Sequence, residues 1–112
     1  MRTICPRCKE TYQPSLEELI QLGIGPQDDI GPLYQGRGCS YCDLTGFYGR
    51  TGIFELLILD DDLRTLINSG VPDYLIRDKA QAKGMQPLRK AGLIKIKEGK
   101  TTTKEVLRVT TR

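Results

Sequence analysis

The sequence predicts an α+β fold: a cysteine-stapled knuckle and β-hairpin half, followed by a small bundle of short helices. Three observations carry that expectation. The four cysteines form two Cys-x2-Cys pairs, Cys5/Cys8 and Cys39/Cys42, separated by thirty residues. The run Thr51 to Leu59 (TGIFELLIL) is rich in β-branched and aliphatic side chains, as a strand requires. After Asp60 the texture changes to capped, helically spaced segments punctuated by Gly and Pro. That change places a tetracysteine subdomain with a β-hairpin at residues 1–58 and a helical subdomain at residues 59–112.

Each element has a local reason. Ser15-Leu-Glu-Glu18 has the capping-box form and leads into Leu19, Ile20 and Leu22, so it predicts a two-turn helix stopped by Gly23. Residues 24 to 32 (IGPQDDIGP) read as a loop. Leu33 to Arg37 reads as a strand that pairs with Thr51 to Leu59, the second cysteine pair lying at the hairpin tip. Asp60, Asp61 and Asp62 suit a helix N-terminus; Leu63, Leu66 and Ile67 follow at helical spacing up to Gly70. Pro72 and Asp73 open a second helix, closed by Gly84, with Leu75, Ile76 and Ala80 on one face. Pro87 opens a third. Thr102-Thr-Lys-Glu105 is a further capping box before Val106, Leu107 and Val109. Helices this short depend on packing for their stability.

Composition limits the function classes. A chain of 112 residues is one domain or a piece of a longer protein. The start, MRTIC, lacks the apolar core of a signal peptide, and no apolar run is long enough to cross a bilayer. A cytoplasmic setting is therefore expected, where paired cysteines serve as metal ligands more often than as structural disulfides. The formal net charge is +3. Four thiolates around one divalent ion would lower it to about +1. Acids and bases are interleaved along the chain, the pattern of a solvated surface.

The cysteine spacing is a strong zinc signal. A two-residue spacer lets both thiolates of a pair reach one ion from a tight turn, and two such turns close a tetrahedral shell. Cys5, Cys8, Cys39 and Cys42 are the expected ligands of one structural Zn2+. The closed shell leaves no position for water or substrate, so no catalytic residue is expected in it. Residues 9–38 hold five Gly and three Pro and can bury little apolar area. Structural zinc supplies on the order of 10–16 kcal/mol of apparent binding energy in small peptides. The first half is thus expected to be loose without metal. A four-cysteine iron site has the same geometry, and a redox dithiol pair remains a further alternative.

Attached to the second pair is a Thr-Gly-x-x-Gly-Arg-x-Gly track. Gly46 and Gly49 suit positive φ or close backbone approach, and Arg50 is a surface cation or a fork for a carboxylate or phosphate. No GxxxxGK motif followed by Ser or Thr occurs, so a P-loop is missing. The stretch GCSYCDLTGFYGRTGIFELL resembles the tetracysteine segment of the bacterial ATPases of type II secretion and type IV pilus assembly. Gly38, Cys39, Cys42, Thr45, Gly46, Phe47, Gly49, Arg50, Gly52, Ile53 and Glu55 carry the likeness. Upstream, RTICPRCK is similar to the same family. Downstream, so is the closing segment, through Gly99, Thr101, Thr102, Glu105, Val106, Leu107, Arg108, Val109 and Thr110. Phe54 stands where the family commonly has His, and Lys104 where it commonly has an acid. Neither position belongs to the four-cysteine set.

The resemblance implies the C-terminal piece of a larger hexameric motor, with Met1 not the natural start. The ATP and Mg2+ sites would lie in the parent's motor domain, so this piece is expected to be no enzyme by itself. Its implied role is structural and mechanical. The implied partners are the rest of the ATPase, neighbouring subunits and inner-membrane platform proteins, with neither nucleic acid nor membrane insertion. The implied location is cytoplasmic, peripheral to the inner membrane through those partners. Arg50 is the candidate for an inter-subunit or nucleotide-proximal contact. Two alternatives accompany this reading. One is a stand-alone zinc ribbon binding nucleic acid through Arg7, Lys9, Arg37, Tyr41, Tyr48 and Arg50. The other is a redox or zinc-sensing switch.

Overall fold

The computed structural model describes residues 1–25 and 31–110. Its elements run β1 (Arg2–Ile4), β2 (Lys9–Tyr12), α1 (Leu16–Gln21), β3 (Leu33–Gly36), a 3-10 turn (Ser40–Cys42), β4 (Phe47–Arg50), α2 (Asp61–Asn68), α3 (Asp73–Ala82), α4 (Leu88–Lys97) and α5 (Thr103–Thr110). The fold is α+β, as predicted. Of the expected loop at residues 24 to 32, positions 26–30 lie outside the described residues.

The strands form two antiparallel pairs, β1 with β4 and β2 with β3. Lys9 faces Gly36 and Tyr12 faces Leu33 in one pair; Arg2 faces Arg50 and Ile4 faces Phe47 in the other. Each cysteine turn therefore joins a strand of one pair to a strand of the other. Two strand–turn–strand ribbons lie side by side, with both cysteine pairs at the same end. The expected pairing of Leu33–Arg37 with Thr51–Leu59 is corrected: β3 pairs with β2, and the Thr51–Leu59 run forms no ladder. The reason is that strand pairing here follows the meeting of the two cysteine turns, not apolar content. β1 and β4 are short and carry charge, yet they sit on either side of that meeting point. Beyond the bond from Thr51 N–H to the Met1 carbonyl, at 2.8 Å, the chain leaves the sheet.

The helices follow their local signals. Asp60 accepts the Leu63 N–H at 2.9 Å, and two further acids lie in the first turn of α2. Ser15 caps α1 by accepting the Glu18 N–H at 3.2 Å, and Thr102 accepts the Glu105 N–H at 3.0 Å before α5. The Glu18 carboxylate accepts from the Tyr12 hydroxyl and the Thr103 hydroxyl, both at 2.7 Å. Those bonds tie α1 to β2 and α5. Burial against the Glu18 carboxylate pushes the Tyr12 phenol up to about 12.

The main core is small. Leu22, Ile24, Leu33, Ile96 and Val106 are buried together, with Met1, Leu19, Leu93 and Leu107 packed around them. It joins residues from both sides of position 58. Gly92 permits the close approach of α4 and α5, since a Cβ there would lie 2.5 Å from a Val106 methyl. The helix pair α2–α3 packs through buried Leu63 and Ala80, and Lys83 reaches both Asp60 and Asp62. The segment before it is exposed: Phe54, Leu56 and Ile58 are each more than 70% accessible, at 80%, 72% and 74%. Among the described residues, no helix is long and apolar enough to cross a membrane.

Candidate metal centre

The first cysteine turn is Cys5-Pro6-Arg7-Cys8 between β1 and β2. The second enters through extended Cys39, turns as a 3-10 helix over Ser40–Cys42, and leaves through Asp43 and Leu44. Asp43 and Leu44 have φ of 56° and 65°. A left-handed backbone costs an ordinary residue about 1–2 kcal/mol, so the surrounding bonds must hold it. They do so locally: Leu44 N–H donates to the Cys39 carbonyl at 2.8 Å, and Thr45 N–H to the Cys42 carbonyl at 3.2 Å. The Thr45 hydroxyl adds a bond to the Cys42 carbonyl at 2.7 Å.

These turns bring all four thiols together. The four sulfurs lie within 4.8 Å of one another. Cys5 to Cys39 and Cys8 to Cys42 are 3.8 Å apart, and Cys39 to Cys42 is 3.7 Å. Sulfurs placed about 2.3 Å from one ion at tetrahedral angles lie about 3.8 Å apart. A disulfide needs about 2.05 Å, so none of these contacts is one; all four cysteines are free thiols. The group could hold a metal ion. Cys5, Cys8 and Cys42 are buried, while Cys39 is half-buried.

Backbone donors face the sulfurs. Gly38 N–H donates to Cys8 Sγ at 3.3 Å, Cys39 N–H to Cys42 Sγ at 3.3 Å, and Gly46 N–H to Cys42 Sγ at 3.2 Å. Such donors favour thiolate over thiol. For Cys42, burial works to raise the thiol, but the Cys39 and Gly46 donors overcome it and bring it down to about 6. Burial pushes the Cys8 thiol up to about 11, against one donor from Gly38. Converging sulfurs with backbone N–H groups aimed at them make a site in which a divalent cation can displace thiol protons.

The four cysteines that the sequence pairs are brought together in the structure. Sequence reasoning read Gly46 and Gly49 as permissive backbone, and both do have positive φ. It missed Gly38 and Gly46 as sulfur-facing donors, a role whose only trace in the sequence is their nearness to the cysteines. Arg50 ends β4 opposite Arg2 and is exposed, away from the sulfurs; among the described residues its side chain makes no ion pair. Tyr41 and Tyr48 stack on each other with ring centroids 4.4 Å apart, and Arg7 lies 4.0 Å from the Tyr41 ring. The aromatics nearest the knuckle are thus already engaged with each other.

Comparison with known proteins follows the same line. The model of the family described as type II/IV secretion system protein matches residues 1–108. The chain is 42% identical over 108 residues to the type IV pilus assembly ATPase PilB of Thermus thermophilus, covering 96% of this chain and 12% of that protein. It is 40% identical over 110 residues to the type II secretion system protein E of Pseudomonas aeruginosa, covering 98% and 22%. With the type II secretion system ATPase E of Vibrio cholerae the figures are 37% over 110 residues, 98% and 22%. The chain thus spans less than a quarter of the length of these relatives. Its cysteine constellation and the match along nearly its whole length make one assignment: the chain belongs to the type II/IV secretion system protein family.

Proposed function

We propose that this chain is the zinc-binding, structural and mechanical part of a hexameric ATPase that drives type II secretion or type IV pilus assembly. The observation that carries the reading is the sulfur tetrahedron, met in a chain of this family. Cys5, Cys8, Cys39 and Cys42 hold one Zn2+ in a closed shell. With no ligand position left open, the ion supplies cross-linking rather than chemistry. Residues 1–58 form the metal-bearing part and residues 59–112 the helical part. ATP and Mg2+ are handled by the motor domain of the parent protein.

The mechanical role is supported by how the knuckle is joined to the rest. Cys5 N–H donates to the Gly46 carbonyl and Arg37 N–H to the Cys8 carbonyl, so the two turns are bonded across as well as through sulfur. Ile4 N–H donates to the Lys100 carbonyl, which anchors the knuckle to the approach to α5. Force on one part is transmitted to the other through backbone. The exposed Phe54, Leu56 and Ile58 give this part an apolar surface for the motor core and neighbouring subunits. The parent then works in the cytoplasm, held at the inner membrane by platform proteins. Arg50, exposed at a strand end, is the residue we assign to an inter-subunit or nucleotide-proximal contact.

Two measurements test this. Metal analysis of purified protein should give one zinc per chain. In the full-length ATPase, Cys5→Ser with Cys39→Ser should abolish secretion or piliation while nucleotide binding persists. Metal-free protein, or a double variant with full transport, would refute the reading.

A further inference from the structure

Away from the sulfurs, a cleft of about 260 Å³ lies between β1, β3 and α5, and its walls carry three cations, Arg2, Lys104 and Arg108, but one carboxylate, Glu105. We propose that this cleft binds a small oxyanion, a phosphoryl group or a carboxylate. Glu105 is 1% exposed, and both its oxygens are taken. Arg2 Nε donates to Oε2 at 2.5 Å; Arg108 donates Nε to Oε1 at 2.7 Å and a second bond from its Nη2. A guanidinium has five N–H donors. One of Arg2 and two of Arg108 are used on Glu105, and the others meet no acceptor among the described residues.

The two forks are also held in place. Arg2 stacks over Phe47 at 4.2 Å, and Arg108 is bonded twice to the buried Glu105 carboxylate. Planar forks fixed before binding lose little freedom when an oxyanion docks on them, and they match its paired oxygens. Lys104, exposed on the same wall with its Nζ 5.8 Å from the Tyr12 ring, adds a point charge, and Gln35, whose amide donates to Glu10 at 3.1 Å, also lines the cleft. Glu105 does not cancel this field, since one negative charge faces three positive ones. It serves to orient the arginines, and the excess of two charges is left for a ligand.

The test uses the metal-loaded chain and two probes, inorganic phosphate and acetate, each exchanged for chloride at constant ionic strength. Amide and arginine Nε–H resonances are followed by NMR. Saturable shifts confined to Arg2, Gln35, Lys104 and Arg108 are expected, with half-saturation in the range of about 1–10 mM. Lys104→Gln, on an exposed side chain that leaves the fold intact, should raise that concentration at least about threefold, and Arg108→Gln at least about tenfold. Saturation by phosphate at lower concentration than by acetate identifies a phosphoryl ligand; the reverse order identifies a carboxylate. Shifts that do not saturate, that spread over all cationic surfaces, or that persist unchanged in Lys104→Gln and Arg108→Gln would overturn the proposal.

Discussion

The backbones of Gly36 and Gly46 cross so closely that a Cβ built on Gly36 would sit 2.0 Å from the Gly46 carbonyl oxygen. Gly36 ends β3 just before the second cysteine pair, and Gly46 leaves it just after. The crossing closes the ribbon around the sulfurs, and the Gly46 N–H still reaches Cys42 Sγ. No flexible side chain can move aside at this point, because the obstacle is main chain. Gly36→Ala should therefore destabilise the fold by about 2–4 kcal/mol, in the range of the more severe point mutations. Gly70→Ala is the comparison, because nothing lies within 4 Å of it and only its positive φ resists the change. It should cost about 1–2 kcal/mol. Denaturant unfolding of the two variants checks the ranking.

Metal removal should act unevenly. The buried sulfurs form a cluster separate from the aliphatic core of Leu22, Ile24, Leu33, Ile96 and Val106. Of the two, the sulfur cluster is the one that offers metal ligands. Chelation should accelerate amide exchange in β1, β4 and the cysteine turns, while α2 and α3 keep their protection. It should also release four thiols to an alkylating reagent that the loaded protein excludes. Uniform loss of protection along the chain would contradict this division.

Glu105 makes stability depend on acid. Burial works to raise its carboxyl, but the Arg2 and Arg108 bonds overcome that and hold it below the usual carboxylate range. A depressed folded pKa adds stability above the ordinary value, about 4.3, and that stability is lost as pH falls through the folded value. Glu105→Gln removes the charge and should cost about 1–3 kcal/mol at neutral pH, both arginines being partly solvated. Wild type and variant should converge in acid. A constant difference down to about pH 2 would exclude this linkage.

These relationships divide what the sequence could disclose from what it could not. Signals contained in a few consecutive residues were legible: the Cys-x2-Cys turns, the Ser15, Asp60 and Thr102 caps, and the stops at Gly23, Gly70 and Gly84. Partners distant in the chain were not. Arg2 and Glu105 are 103 residues apart, and neither looks unusual in its own surroundings. β1 and β4 give no apolar alternation, because the meeting of two cysteine turns sets their pairing. Thr51–Leu59 misled for the opposite reason. Its composition suits a strand, but past the two bonds between Thr51 and Met1 the run joins no ladder.

That run has a practical consequence for the protein in solution. Phe54, Leu56 and Ile58 stand exposed in a run that joins no ladder, an apolar patch that is adhesive toward other apolar surface. The purified chain should therefore sediment as species that grow with concentration, and lysines at positions 56 and 58 (Leu56→Lys with Ile58→Lys) should restore a single slow boundary. Handling conditions that discourage such sticking, dilute protein above all, are then the ones in which its metal and anion chemistry can be measured cleanly.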